Sequence, residues 1–359
     1  MKSSGRIDPA VWLLLLALTA AAAAMKVAVT GTTGKLGRRA IQLLSSRGIA
    51  TRCLLRHPIS ATDIYFNNPN HNISLLNDDT ASSSAVASYL SQLPHVTMVY
   101  GDATNLQSCH DLVEGCDAIL ALHGPLRPPP LQSVFRRLAE THPAHSRSVN
   151  YVAVQNIIAA CKASQTCKRI VRVTGKGEQP TQIFTVLINM LGHMAKGWNY
   201  EGEQLLRTGC SSKEEHGSGG LEYTIVRPGV MRSDNTNNDH VLPPKEGVLA
   251  LADNGGDLPI TSVSHTQIAS LCVDCLSYPN TAQSTLTVMN VPSGTGEVSY
   301  APLLAKVTKD TRYFPPTLIE QHKKAARVGA IALCAFLAVL STGILVAIKT
   351  IIVRAGFLV

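Results

Sequence analysis

The chain has 359 residues, of which 45% are apolar and only 16% charged, a balance that excludes disorder for most of its length. Its formal net charge is +8, but five of those charges fall on Lys323, Lys324, Arg327, Lys349 and Arg354 and one more on residues 1–24; the near-neutral remainder lacks the electrostatic footprint of a nucleic-acid binder. Nine cysteines, an odd number without framework spacing, exclude a disulfide-dense secreted scaffold.

Residues 1–24 open with Lys2 and Arg6 and continue as a 15-residue uncharged run, 10–24, that ends in small residues. As a helix this run spans about 22 Å, short of a bilayer core of about 30 Å. A basic start, a short apolar core and a small-residue end describe a signal peptide. The alternative is an upstream extension ahead of Met25, which opens a self-sufficient strand, KVAVTG. KLGRRAIQLLSSRG follows as a helix and ATRCLLR as a second strand. Residues 60–92, rich in Ser, Asn, Thr and Asp, read as a loop-rich insertion with a short helix near 85–93. They contain the N-glycosylation sequon Asn72-Ile73-Ser74.

HVTMVYGD is expected as a third strand, 106–113 as a helix, DAILALHG as a strand, and 125–130 as a stiff Pro-rich loop. Further on, 149–164 reads as a helix and KRIVRVTG as a strand. Residues 182–207 read as largely helical with an interruption near Gly197, and LEYTIVRPG as a strand. Strands alternating with helices predict a doubly wound, Rossmann-like α/β domain around a parallel sheet, over residues 25–232. Residues 233–321 are more irregular, with a helix at 265–276 and a strand at 285–291, and are expected to form a small substrate-side lobe and linker. Residues 328–348 are 21 residues without a charge, about 31 Å as a helix, flanked by basic residues; they predict a C-terminal transmembrane anchor and make the lipid bilayer a partner. A cleaved leader implies an endomembrane protein with a lumenal body. Three positive charges before the span and two after it favour instead a cytosol-facing tail anchor.

The chemistry is concentrated at the first strand–helix junction. Gly31, Gly34 and Gly37 in GTTGKLG are spaced for a tight turn, for close backbone approach to a pyrophosphate, and for helix–strand packing. The helix that follows offers its N-terminal N–H groups to phosphate. An NAD site usually places an acid at the end of the second strand; here TRCLLRHP has none, and Arg56 stands there instead, which favours NADP over NAD. Cys272 and Cys275, and Cys161 and Cys167, read as core or packing residues rather than redox pairs. His193 and His216 have no partners at metal spacing, so no metal site is expected.

The segments VAVTGTTGKLG, CLLRHP, VYGDATN, GCDAILALHG, VQNIIAACKASQTCKRIVRVTG, EQLLRTG and LEYTIVRPGVM occur in family order. Together the chain resembles the atypical short-chain dehydrogenase/reductases of the NmrA-like and biliverdin-reductase-B-like kind over residues 26–292. The resemblance implies that Gly31, Thr33, Gly34, Lys35, Leu36 and Gly37 line the pyrophosphate turn and that Arg56 faces the 2′-phosphate. It also implies that Asp102 and Ala103 lie by the adenine, and Leu122, His123 and Gly124 by the nicotinamide ribose. Thr174 matches the active-site hydroxyl, and Arg227, Pro228 and Gly229 the turn that shapes the substrate pocket; His265 stands where related chains often hold an Asp that caps a helix. The family's Tyr and Lys are missing: aligned on Glu203, their positions hold Ala195 and Asn199, while Tyr200 and Lys196 are out of step and expected to point elsewhere. Glu203 itself is either a pocket-orienting group or a surface carboxylate. The expected function is NADPH-dependent hydride transfer to a small carbonyl, flavin or quinone; the alternative is a non-catalytic NAD(P)-binding redox sensor or scaffold at a membrane.

Overall fold

Successive side chains of the first strand, β1 (Lys26–Thr30), go to opposite apolar layers, Val27 and Val29 to one and Ala28 to the other. A strand buried on both faces is what a parallel sheet between two helical layers requires. The computed structural model describes residues 25–56, 82–125, 138–210, 220–232, 248–291 and 300–354. The leader, Asn72, most of the Pro-rich loop and His216 lie outside the described residues.

After β1 come α1 (Lys35–Ser46), β2 (Ala50–Leu55), α2 (Ser83–Ser91), β3 (Val96–Tyr100), α3 (Leu106–Val113) and β4 (Ala118–Ala121). A π-helical turn, Ser148–Val152, leads into α4 (Ala153–Ala163), then β5 (Arg169–Val173), α5 (Ile183–Leu191), α6 (Ala195–Gly209) and β6 (Glu222–Pro228). The main sheet has eight strands. Its order is β3-β2-β1-β4-β5-β6 followed by β10 (Ser284–Val291) and the edge strand β8 (Val248–Ala252). All neighbours are parallel except β10 and β8. The expected doubly wound sheet is therefore present. The region expected as a substrate-side lobe supplies the two outermost strands of this sheet, and also a separate parallel pair of β7 (Val230–Arg232) with β9 (Ser262–Ser264).

One layer packs α1, α2 and α7 (His265–Asp274) on the sheet through Ile41, Leu44, Leu90, Ile268 and Leu271. The other packs α3, α4 and α6 through Leu112, Ile157, Cys161 and Leu206. The cysteines are packing residues as expected: Cys161 and Cys167 are unbonded with their sulfurs 3.1 Å apart, and Cys272 and Cys275 are buried free thiols. Burial pushes the Cys275 thiol up to about 12, which keeps it protonated and unreactive. His265 is not the cap of α7. Ser264 and Gln267 form a capping box there, and His265 Nδ1 contacts the Arg232 carbonyl at 2.6 Å.

The helical stretch expected to break near Gly197 breaks earlier. Gly192 ends α5, and His193 and Met194 take positive φ before α6 begins. Gly197 lies inside α6 and has no side chain because the last helix crosses it closely; a Cβ there would stand 3.0 Å from Ile319 Cδ1 and 3.2 Å from His322 Cβ. That last helix follows the short α8 (Tyr300–Leu304) and is α9 (Ile319–Arg354), 36 residues or about 54 Å long. Its base is docked on the body. Glu201 Oε1 accepts from the backbone N–H of Leu318 and Ile319 at 2.8 and 3.0 Å, capping the helix start.

His322, fully buried, contacts the Gly177 carbonyl through Nε2 at 2.8 Å and Asn189 Nδ2 through Nδ1 at 3.0 Å. A carbonyl can only accept, so Nε2 donates and Nδ1 accepts, and the ring is neutral. Burial lowers its pKa, the Gly177 carbonyl opposes this, and Lys196 adds to it. The folded chain thus binds fewer protons here than the unfolded one. The stabilisation is complete above the unfolded value of about 6.5 and is lost as pH falls through the folded one. Denaturant unfolding of the full chain in detergent should show stability dropping between pH 7.5 and 5.5, and His322→Gln should flatten part of that slope.

Candidate functional site

The sheet order reverses between β1 and β4, and in open α/β sheets the crevice at such a switch is where ligands bind. Both sides of this crevice are made by sequence-predicted residues. Gly31, at φ +74, begins the turn after β1; a Cβ on it would lie 2.7 Å from the Leu122 carbonyl and the His123 nitrogen. Gly37 is packed under Gly31 so closely that a Cβ would overlap the Gly31 carbonyl. Thr32 Oγ1 donates to the Leu54 carbonyl at 2.6 Å and pins the turn to β2. Gly34 is the N-cap of α1 and supplies no side-chain acceptor, and no acid occupies the first turn. Helix N–H groups and dipole at that end are thus uncompensated by protein anion, the arrangement a pyrophosphate fits. Thr33 and Gly34 are at the surface of the turn, Lys35 opens the helix, and Leu36 is buried beneath it.

Arg56 follows β2 directly and is exposed, as a 2′-phosphate ligand must be. Arg52, on the same strand, is committed elsewhere, donating to the carbonyls of Asp111 and Leu112. After β3, Asp102 folds back on its own turn, accepting from the Thr104 nitrogen and hydroxyl at 2.8 and 2.7 Å. The Ala103 carbonyl is held by Asn156 Nδ2 at 3.1 Å. The ends of β2 and β3 stand beside β1 on one flank of the switch, and Leu122, His123 and Gly124 end β4 on the other. His123 Nδ1 is 2.6 Å from Thr30 Oγ1, and its Nε2 is buried. Burial and, after it, Arg172 hold His123 well below the usual histidine range, so it stays neutral.

Arg172, in the middle of β5, is a residue the sequence reading passed over. It is 2% exposed and donates to the carbonyls of Ala121 and His123 at 3.1 and 2.6 Å and to Asn150 Oδ1 at 3.2 Å. It therefore fixes the loop end of β4 to β5. Its signal in the sequence was a charge inside the otherwise apolar run KRIVRVTG. Burial lowers the guanidinium to about 10, with Glu203 opposing.

Two residues after Arg172, just past the end of β5 and on the same face, Thr174 donates its hydroxyl to Glu203 Oε1 at 2.6 Å. Glu203 is fully buried, which settles its open position between pocket and surface. Arg227 Nε donates to Oε1 at 3.0 Å, Arg227 Nη2 bonds Oε2, and Arg207 Nη1 and Nη2 donate to Oε2 at 3.3 and 3.2 Å. Burial alone would raise the Glu203 carboxyl; Arg227 and Arg207 outweigh it and hold the group ionised below its ordinary value. Arg227 extends the cluster to Glu178 at 2.8 Å, which also pairs with Arg312. Phe314 covers it, with the Arg207 and Arg312 guanidinium carbons 3.7 and 4.4 Å from its ring centre. Thr174 and Arg227 are thus brought together, on one carboxylate. Pro228 ends β6, and Gly229 is packed too tightly against the Thr261 carbonyl for any Cβ.

At the missing pair, Ala195 and Asn199 supply no acid. Tyr200 does point away, donating to the Pro315 carbonyl at 2.6 Å. Lys196 does not: a Cβ on Gly175, next to Thr174, would lie 2.8 Å from its Nζ. Because α6 starts only at Ala195, its first turn reaches back over the end of β5. Burial lowers the Lys196 ammonium from its usual value, Glu203 pulls it back up, and Arg227 pushes it down.

A family model described as NAD(P)H-binding matches residues 67–279, more than half of the chain. No protein with a curated description matches by sequence. Among solved structures, the chain is similar to a wide-type short-chain dehydrogenase/reductase from Veillonella parvula DSM 2008 in complex with NADP. The identity is 12% over 77% of this chain and 99% of that one, with a TM-score of 0.47. It is also similar to an oxidoreductase from Lactococcus lactis (13% identity, 78% and 95% covered, TM-score 0.47). A third is an anaerobillin reductase from Escherichia coli O157:H7 (14% identity, 75% and 100% covered, TM-score 0.44). The family assignment rests on the sequence match, not on these superpositions.

Replacing Glu203 by Gln removes the carboxylate shared by two buried guanidiniums, leaving Arg227 only Glu178 and Arg207 only Asp310 as ion-pair partners, and should cost about 3–5 kcal/mol in denaturant unfolding. Asn199→Ala, on the same helix but outside the cluster, should change stability by less than about 1 kcal/mol.

Proposed function

The chain belongs to the NAD(P)H-binding family, and from that premise we propose that it is a membrane-anchored reductase that uses NADPH. The observation that carries this reading is the uncapped head of α1 at the sheet's switch point, with the 31–37 turn pressed against His123. The residues fit the dinucleotide. The turn and α1 receive the pyrophosphate, exposed Arg56 the 2′-phosphate, Asp102 and Ala103 flank the adenine, and Leu122 to Gly124 flank the nicotinamide ribose. NADPH when bound supplies the hydride. Anchoring is supported by α9, whose apolar stretch is exposed along residues 331–348.

The chain's own groups narrow the acceptor. Thr174 gives its proton to Glu203, so toward a substrate its oxygen can only accept a hydrogen bond. Ala195 removes the usual phenol. Lys196 places its ammonium beside this strand end, and its lowered pKa suits proton donation. A flavin or quinone, whose reduced form can also take its proton from water, matches this equipment better than an unactivated ketone. A second reading, a non-catalytic NAD(P)-binding sensor or scaffold, is favoured by the closure of the Thr174–Glu203–Arg227 cluster under Phe314.

Calorimetry on the full chain in detergent should give NADPH binding tighter than NADH. Arg56→Ala should weaken NADPH by about tenfold to a hundredfold with little change for NADH. Equal loss for both removes Arg56 from its role, and no binding at about 1 mM removes both readings. NADPH consumption with a panel of flavins, quinones and carbonyls should be lowered by Lys196→Met at unchanged NADPH affinity. Binding without consumption leaves the sensor reading in place.

A further inference from the structure

Helix α5 is inside out. Its sequence, IFTVLINML, has no charged residue, and the side chains it buries are polar, Thr185 and Asn189 at 2% exposure each. The ones it presents outward are Ile183 at 86%, Phe184 at 50% and Leu187 at 45%. A helix facing water on its outer side carries the reverse pattern. Asn189 explains the buried half: besides meeting His322, its Oδ1 accepts from the Lys196 and Gly197 nitrogens at 2.9 and 3.2 Å, so it ties α5 to α6 and to the base of α9. Nothing among the described residues of the body explains the exposed half.

The position of α5 along α9 does. The helices meet at Gly329, where a Cβ would overlap Val186 and come within 3.2 Å of Met190 Sδ. Gly329 is the second residue of the uncharged run 328–348. The exposed apolar face of α5 therefore lies level with the beginning of the span, not with the body. Between the helices runs a groove of about 730 Å³ lined chiefly by Ile183, Val186, Leu187, Met190, Val328 and Leu333, with Lys324 at its rim. Lys323, Lys324 and Arg327 occupy the turns of α9 just before the span, at the depth where lipid phosphates would stand.

We infer that α5 is a second membrane-contacting element. It lies in the interface of the leaflet that α9 enters, with Ile183, Phe184 and Leu187 among the acyl chains, and a lipid acyl chain fills the α5–α9 groove. This rests on the anchoring reading of α9. The consequence is orientation: α5 follows Thr174 by nine residues through the loop that His322 grips at Gly177, so the end of β5 is held at a fixed height over the bilayer.

The test uses the full chain in vesicles of phosphatidylcholine and phosphatidylserine containing a phosphatidylcholine with a diazirine in mid-chain. After photolysis, peptides are mapped by mass spectrometry. The expected result is label on residues 183–190 as well as on 328–348, in both cases well above the label on α3. Leu187→Asp should remove the α5 label and leave the α9 label, with the protein still folded by circular dichroism. Label on 328–348 but not on 183–190 overturns the inference and leaves the anchor standing. Label on neither overturns the anchor itself. Cross-linking of 183–190 to a second copy of the chain, with no lipid label there, assigns this face to a dimer and overturns the inference.

Discussion

One buried carboxylate organises the functional half of the molecule. Glu203 has no access to solvent, and a lone carboxylate in that position would be prohibitively costly. Two guanidiniums and a hydroxyl make it tolerable, and each comes from a different place: Arg227 from β6, Arg207 from the next turn of α6, and Thr174 from the end of β5. The ion cluster thus fixes the separation of two strands and the helix above them. Glu178 and Arg312 continue it into the loop after β5 and the stretch before α9, so the candidate acceptor side and the approach to the last helix are parts of one electrostatic unit.

The turn after β1 depends on a different constraint, steric rather than electrostatic. Gly31 and Gly37 leave no volume for a Cβ because the turn is pressed against Leu122, His123 and itself. That closeness brings the head of α1 to the switch point, where its N-terminal N–H groups can serve an anion. Arg172 joins the two sides. It holds the His123 carbonyl from below while sharing a sheet face with Thr174, so a displacement of the loop after β4 would be felt at the strand end that carries the hydroxyl.

The third constraint is at the base of the last helix. A free apolar helix on a flexible tether would let the body tumble, whereas α9 is capped by Glu201, gripped through His322 and crossed closely at Gly197. The base of α9 is therefore fixed to the body. The polar side chains that α5 spends on this joint are the reason its outward face is left apolar.

The elements were largely legible in the sequence because they follow from local periodicity. Alternating strands and helices gave the doubly wound sheet, GTTGKLG after a strand gave the turn at the switch point, and an uncharged 21-residue run gave the exposed helix. What local pattern could not reach was the pairing of charges distant in sequence. Glu203 could be read equally as a surface group, Arg172 as an ordinary strand residue, and Lys196 as a side chain turned away. Their roles depend on Arg227, His123 and Gly175, which lie 24, 49 and 21 residues from them in the chain. The helix break is the same lesson at smaller scale. Gly197 looked like the interruption, but glycine also serves where another helix must pass, and only the crossing of α9 distinguished the two. The sequence by itself determined the fold class and the glycine turn after β1, because hydrophobic period and glycine spacing are local; only the tertiary structure decided which charges are buried together, because burial is a property of what packs around a residue.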